Sequence, residues 1–339
     1  MFLGIESSCD ESALAIMSMD GFLEGEWVTS QIDKHAEYGG VVPDLAVGEH
    51  LNNFIPLLQL ANDEHNLSES VTKIAVTRGP GLVGCLGMGI TFAKSLGSLW
   101  QVPVYGVNHL HGHVFSVFMP LFSEEGFSWD DFLPHLGLLV SGGNTLLFEL
   151  DTSLNLNILS ETVDDAAGEA LDKGAKLLGI PYPGGAELEI IAQEGDPKAF
   201  DFPRVFDNKN ELKFSFSGLK TSLLYRLRKL GEIEIEKYKA DLAASYQVAV
   251  VDQLIRKMKH VVAGRSYKTF GLSGGVANNG LLRKKSEEFC DNYKMKFLPA
   301  EKKHTGDNAA MIAFAALVCP SMLVANLDGE LTFNPSLRL

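Results

Sequence analysis

Apolar positions along this chain fall into short runs whose period changes, and the changes mark out elements. "FLGIESSCDESALAIM" (2–17) is an apolar run, a polar turn and a second apolar run, which predicts a β-hairpin. "KIAVTRGPGLVGCLGMGITFAKSLG" (73–97) starts as a strand, turns at Gly79-Pro80-Gly81 and continues as a helix whose small residues allow close packing. "VPVYGVN" predicts a short strand. In the "HLHGHVFSVFMP" that follows, Val114, Phe115, Val117 and Phe118 fit helical spacing better than strict alternation, with Asn108 as a plausible N-cap. "HLGLLVSGGNTLLFEL" predicts a second hairpin turning on Gly142-Gly143, and "AAGEALDKGAKLLGI" a helix stopped by "PYPGG". "KFSFSGLKTSLLYRLRKL" becomes a basic amphipathic helix, and "KTFGLSGGVANNGLLRKK" reads as a strand, a Gly-Gly turn and a helix. "HTGDNAAMIAFAALV" ends in an alanine-rich apolar helix with Asp307 at its start, while 151–160 and 199–212 read as loops.

One pattern recurs. "LLVSGGNT" and "FGLSGGVAN" are each an apolar strand, Ser-Gly-Gly, then small polar residues, and "GIESSCDES" adds a third strand–polar-turn unit. Two lobes, each with a sheet whose turns face a shared cleft, would account for the three. Alternating strands and helices make the class α/β.

Composition narrows the picture. A length of 339 residues suits two domains, and 33 glycines exceed the usual ~7% share. Cys9, Cys85, Cys290 and Cys319 are scattered and form no CxxC, so the expected compartment is reducing. With no basic leader and no uninterrupted apolar span, the expectation is a soluble, cytoplasmic protein without a membrane partner. The net charge of −14 conceals an asymmetry: residues 213–339 hold 20 of the 29 Lys and Arg but 12 of the 43 Asp and Glu. That distribution suggests an anionic partner on the C-terminal side, although a solvated basic face explains it equally well.

The candidate chemistry lies in four places. Ser141-Gly142-Gly143 and Ser273-Gly274-Gly275 would leave backbone N–H groups open to an anion, the second with a helix N-terminus behind it; no GxxxxGK[ST] is present. "NHLHGHVF" places His109, His111 and His113 within five residues. On a helix, His109 and His113 share a face and His111 points elsewhere. A third ligand is needed, with Asp307 and His304 as rivals; imidazole plus carboxylate suits zinc or iron. An Asp at the position of Asp307 is more often an N-cap. Asp10 and Glu11 lie in the first hairpin turn, and Asp164, Asp165, Glu169 and Asp172 cluster in "VDDAAGEALDK". Acids beside a phosphate site hold a cation, bind ribose or act as a base, whereas elsewhere they form solvated faces. Lys213, Lys220, Arg226, Arg228 and Lys229, with Phe214, Phe216 and Tyr225, could meet RNA, although aromatics at this spacing are more often core.

Together "GIESSCDES", "HAEYGGVVPDLA", "GPGLVG", "HLHGH", "VSGGNT", "DDAAGEALDKGAKLLG", "YPGG", "FSFSGLKT", "SGGVANN" and "DNAAMIA" span nearly the whole chain. In this order they resemble the tRNA N6-adenosine threonylcarbamoyltransferase family, formerly described as O-sialoglycoprotein endopeptidases. The resemblance implies the two-lobed acetate kinase/Hsp70/actin-like fold with a central nucleotide cleft. The lobes would be 1–133, completed by about 307–339, and 134–306. It implies metal ligands at His109, His113 and Asp307, with one divalent metal per subunit, iron ahead of zinc. Substrate contacts would fall at Leu139, Val140, Ser141, Gly142, Gly143, Asp172, Gly185 and Asn279. Glu11 and Asp10 are candidate catalytic acids.

The implied reaction moves threonylcarbamoyl from threonylcarbamoyl-adenylate to N6 of the adenosine 3′ of the anticodon, in tRNAs reading codons that begin with A. The implied partners are tRNA, a smaller paralogous subunit and a small P-loop ATPase. The chain departs from the family's His-x-Glu-Gly-His at His111, which stands in the Glu position, so the role of His111 is open. It also carries Asn144 where many bacterial members have His. The alternatives are a non-catalytic nucleotide-binding scaffold subunit of the same complex and a sugar-kinase-like phosphotransferase. A metalloprotease would normally present HExxH, which is absent.

Overall fold

The computed structural model describes residues 1–204, 212–326 and 330–339. Its strands are β1 (Phe2–Glu6), β2 (Glu11–Met17), β3 (Leu23–Ser30), β4 (Lys73–Gly79), β5 (Val104–Asn108), β6 (His135–Val140), β7 (Thr145–Leu150), β8 (Leu156–Glu161), β9 (Thr269–Ser273), β10 (Lys296–Pro299) and β11 (Val324–Ala325). The helices of eight residues or more are α1 (Pro43–His65), α2 (Val83–Trp100), α3 (His109–Ser116), α4 (Ala167–Leu177), α5 (Gly184–Ala192), α6 (Ser217–Lys229), α7 (Lys239–Val262), α8 (Gly280–Tyr293) and α9 (Ala309–Val318).

The chain divides into two compact units, Met1–Phe127 with Glu301–Leu339, and Ser128–Ala300. The first holds a sheet of order β11-β5-β4-β1-β2-β3, the second one of order β10-β9-β6-β7-β8. The two repeat one plan. An antiparallel meander (β1-β2-β3, or β6-β7-β8) extends from its first strand into two parallel strands (β4-β5, or β9-β10). The recurring strand–polar-turn signal is thus the first hairpin of each sheet plus β9. The inner strands are near-continuous apolar runs because they are covered on both faces: β1 and β6 are buried at every residue.

In the first unit, α9 is the centre of the packing. It is apolar all round, and Ala309 to Ala316 are all buried. Two glycines bring it close to its neighbours. A Cβ on Gly4 of β1 would lie 2.3 Å from the Ala309 carbonyl oxygen, and one on Gly112 of α3 would lie 2.8 Å from Met311 Cγ. The small residues of α2 do the same against the residue that follows β1 and against β5, where a Cβ on Gly89 would meet Ser7 and one on Gly97 would meet Val104.

Several expectations need correction. Residues 156–161 are not loop but the edge strand β8, which pairs antiparallel with β7; its mixed, largely exposed pattern gave no apolar signal. Of the 199–212 loop, residues 205–211 lie outside the described residues. After Gly274 the chain makes a 3-10 turn, Gly275–Asn278, and α8 starts only at Gly280, capped by Asn279. Asp307 does not start α9, because Asn308 is the N-cap and accepts from the Met311 amide at 2.8 Å. Phe214 and Phe216 are buried core residues, not an exposed stacking platform. Nor does the basic C-terminal stretch form a body of its own. The second unit carries 22 Lys and Arg against 24 Asp and Glu, and the first 7 against 19. The long helices α1 and α7 carried no sequence expectation. No helix among the described residues is long and apolar enough to cross a membrane.

Candidate metal centre and glycine turns

The histidine segment is helix α3, and Asn108 caps it: its Oδ1 accepts from the Leu110 amide at 2.9 Å. The i, i+4 spacing therefore puts His109 and His113 on one face, both buried. Gly112 lets that helix close on α9, and Asn308 takes the capping role there, so the Asp307 carboxylate is left to face the histidines. Asp307 Oδ1 lies 3.3 Å from His109 Nε2 and 3.2 Å from His113 Nε2. The candidate ligand atoms of the three residues all lie within 4.8 Å of one another.

The residues present fit a metal ion. Ligand atoms each about 2.1 Å from one metal, at a tetrahedral angle, are about 3.4 Å apart, close to the two separations observed. The donor set of two imidazoles and one carboxylate also suits a divalent transition metal. His111 is outside the cluster, and burial pushes its ring down to about 4, so it is neutral at physiological pH. His304, the rival third ligand, instead meets Glu26 at 3.1 Å and Glu301 at 3.3 Å.

Electrostatics bind the cluster together without an ion. Burial alone would strip the proton from His109, but the Asp307 and Glu6 carboxylates outweigh it and hold the ring well above its usual value. Burial alone would raise Asp307, yet His109 and then His113 hold it well below the carboxylate range. Burial wins at His113, which is lowered.

The β1–β2 turn brings the acids alongside. The Ser8 and Asp10 carbonyls accept from Leu82 and Gln31 amides, and His50 Nε2 donates to the Cys9 carbonyl at 2.9 Å. Glu11 accepts from Ser30 Oγ at 3.2 Å. Burial, then the charges of Asp307 and Asp10, push the Glu11 carboxyl up to about 10. At neutral pH it keeps its proton and can donate, and a cation beside Asp307 would relieve part of that shift.

Three residues at this site escaped the sequence reading: Glu6, Ser8 and Thr77. Glu6 is fully buried, and its Oε2 lies 3.0 Å from His109 Nδ1. Ser8 Oγ lies 3.3 Å from the same nitrogen and 3.5 Å from Asp307 Oδ2. The available signal was one acid closing the apolar run "FLGIE".

The expected substrate residues all lie in the second unit. Leu139 and Val140 end β6 and are buried. The turn closes through Ser141 N donating to the Asn144 carbonyl at 2.8 Å, and Asn144 N donating to Ser141 Oγ at 3.1 Å. A Cβ on Gly142 or Gly143 would meet nothing within 4 Å, and neither has a positive φ. Neither a positive φ nor a Cβ clash demands glycine at these two positions. Gly274 differs: its φ is +88°, and a Cβ there would lie 2.3 Å from the Val140 carbonyl oxygen. Asp172 Oδ1 accepts from the Gly185 amide at 2.7 Å, joining α4 to α5. Asn279 caps α8 and donates to Glu189 at 3.1 Å. Of the nearby acids, Asp164 accepts from the Phe216 and Ser217 amides and the Ser215 and Ser217 hydroxyls, which pins the start of α6. Asp165 and Glu169 both pair with Lys173 at 2.7 Å. On α6, Arg228 stacks over the exposed Tyr225 ring.

A family described as tRNA N6-adenosine threonylcarbamoyltransferase (TsaD) matches residues 23–314. The chain belongs to this family. The threonylcarbamoyltransferase of Thermosipho africanus is 42% identical over 338 residues, covering 99% of each chain. That of an Anaeromyxobacter species is 45% identical over 316 residues, covering 92% of each. In fold, the chain is similar to the activator of 2-hydroxyisocaproyl-CoA dehydratase from Clostridium difficile, solved with bound ADPNP. The TM-score is 0.52 at 14% identity, over 93% of this chain and 94% of that one. This threonylcarbamoyltransferase family member thus has the acetate kinase/Hsp70/actin-like α/β fold, and its possible metal triad fits a divalent ion.

Proposed function

We propose that the chain transfers threonylcarbamoyl from threonylcarbamoyl-adenylate to N6 of the adenosine 3′ of the anticodon, in tRNAs reading A-starting codons. Family membership over nearly the full length supports the reaction. The observation that carries its placement in the chain is the convergence of His109, His113 and Asp307. These three would hold one divalent metal, iron ahead of zinc. When bound, such a metal supplies Lewis-acid polarisation of a carbonyl or phosphoryl oxygen.

The N6 amine attacks the carbamoyl carbon, the C–O bond to the adenylate phosphate breaks, adenosine monophosphate leaves and N6 loses a proton. The chain's own part is binding and orientation. The open amides of Gly142 and Gly143 would take the adenylate phosphate; Leu139, Val140, Ser141, Gly185 and Asn279 would line its site, and Asp172 would face the ribose. Glu11 and Asp10 would handle protons beside the triad, with Glu11 as donor while it keeps its own. A smaller paralogous subunit and a small P-loop ATPase are the proposed protein partners, in the cytoplasm.

The test is mass spectrometry of nucleosides from unmodified tRNA incubated with the chain, these partners and threonylcarbamoyl-adenylate. Threonylcarbamoyladenosine above the no-protein control supports the reading. None, with a folded chain and active partners, overturns it.

A further inference from the structure

The two imidazoles of the triad are not held alike. His113 sits in its pocket with Nδ1 buried and no hydrogen-bond partner there among the described residues. His109 is clamped. Its Nδ1 faces Glu6 Oε2 at 3.0 Å, with Ser8 Oγ at 3.3 Å. Glu6 is itself fixed on every side. Thr77 Oγ1, on the adjacent parallel strand β4, donates to Oε2 at 2.5 Å, and the Ser8 amide donates to Oε1 at 2.5 Å. Glu6 is fully buried at the end of β1, so it has no solvated alternative position.

A carboxylate only accepts, so Nδ1 of His109 must carry the hydrogen. In the neutral ring, Nε2 then presents its lone pair toward Asp307 Oδ1, 3.3 Å away. Against the Asp307 carboxylate at that distance, Nε2 carries a proton in the metal-free chain, and a metal ion would take that proton's place. A carboxylate behind a ligating imidazole fixes its tautomer and ring plane and raises its basicity.

We infer that Glu6 is the positioning residue of the metal centre: it anchors His109 as the rigid ligand, while His113 is oriented by the cluster alone. The inference rests on the metal reading above and asks what sets the affinity of that site.

The test is titration of the metal-free full chain with cobalt(II), followed by its visible absorption. Variants are Glu6→Gln, Glu6→Ala and Thr77→Val, with His113→Ala as control and the melting temperature of each metal-free variant recorded. Wild type should bind one cobalt(II). Glu6→Gln should bind roughly 10-fold more weakly and Glu6→Ala up to about 100-fold more weakly, with a changed band shape. Thr77→Val, which loosens Glu6 without removing its charge, should weaken binding about 3-fold, well below that range. Should Glu6→Ala fail to fold, losses of about 10-fold in Glu6→Gln and about 3-fold in Thr77→Val still test the role of Glu6. Binding within 2-fold of wild type in the folded Glu6 variants, with binding lost in His113→Ala, overturns the role of Glu6 and leaves the triad standing. So does a weakening across the Glu6 and Thr77 variants that only tracks their loss of melting temperature. A wild type that takes up no cobalt(II) overturns the triad and this inference together.

Discussion

The proposed metal centre of the first unit and the glycine turn of the second solve opposite problems. At the centre, charged side chains are buried, and strand β1 and helix α3 pack against α9 so closely that Gly4 and Gly112 have no room for a methyl group. At the β6–β7 turn, a Cβ on Gly142 or Gly143 would point into open space, and under the proposed function the backbone itself is what a ligand would meet. Buried charge is costly unless paired, so the first site is inseparable from the core that encloses it. The second can change without the core noticing. Stability and activity should therefore be coupled at one site and separable at the other.

The sharpest way to break this contrast is at the triad. His113→Ala should abolish stoichiometric metal binding and lower transfer by more than about 100-fold, read by metal analysis and a transfer assay. Retention of both would remove the metal centre from the comparison.

Glycine substitutions come next. Gly4→Ala drives a Cβ into the Ala309 carbonyl and should cost about 3 kcal/mol in chemical denaturation. Gly142→Ala should change stability by less than about 0.5 kcal/mol while still lowering transfer. Equal stability losses would erase the distinction.

Acid sharpens it further, because two buried histidines shift in opposite directions. Burial pushes His135 of the second unit from 6.5 down to about 3, whereas carboxylates raise His109 in the first. A depressed histidine stabilises fully above its unfolded value, and that stability is lost as pH falls from 6.5 toward 3. His135 alone should contribute a slope of at most about 1.4 kcal/mol per pH unit in that window. His135→Phe should flatten that part of the pH dependence of unfolding. His109 without metal works the other way: its stabilisation is present below 6.5 and lost as pH rises through its folded value.

The smallest expected effect is at the cap. Asn308→Ala should cost about 1 kcal/mol and weaken metal binding modestly, because Asp307 is then drawn toward the vacant capping role. An unchanged melting temperature would deny Asn308 the task of freeing Asp307.

The two sites also differed in how legible they were. The histidine face could be read because helix geometry fixes which of positions 109, 111 and 113 go together, and both Ser-Gly-Gly turns were visible as punctuation. The choice between Asp307 as cap and Asp307 as ligand could not be made from sequence, since it depends on whether the next residue, Asn308, takes the amide. Glu6 was hidden for a related reason: an acid closing a strand is usually a solvated end, and only the β1–β4 pairing and α3 show it to be enclosed. Likewise Gly142 and Gly274 look identical in the sequence. One lies in open space, and the other is demanded by a positive φ and the Val140 carbonyl. Strand β8 was lost because an edge strand needs little apolar patterning.

The most direct test measures metal content and threonylcarbamoyladenosine yield on the same preparations of wild type and His113→Ala, with tRNA, threonylcarbamoyl-adenylate and partner subunits present. The account predicts about one metal per wild-type chain with product formed, and neither in the folded variant, whose melting temperature is lower. Product formed at the wild-type rate by a folded, metal-free His113→Ala would contradict it.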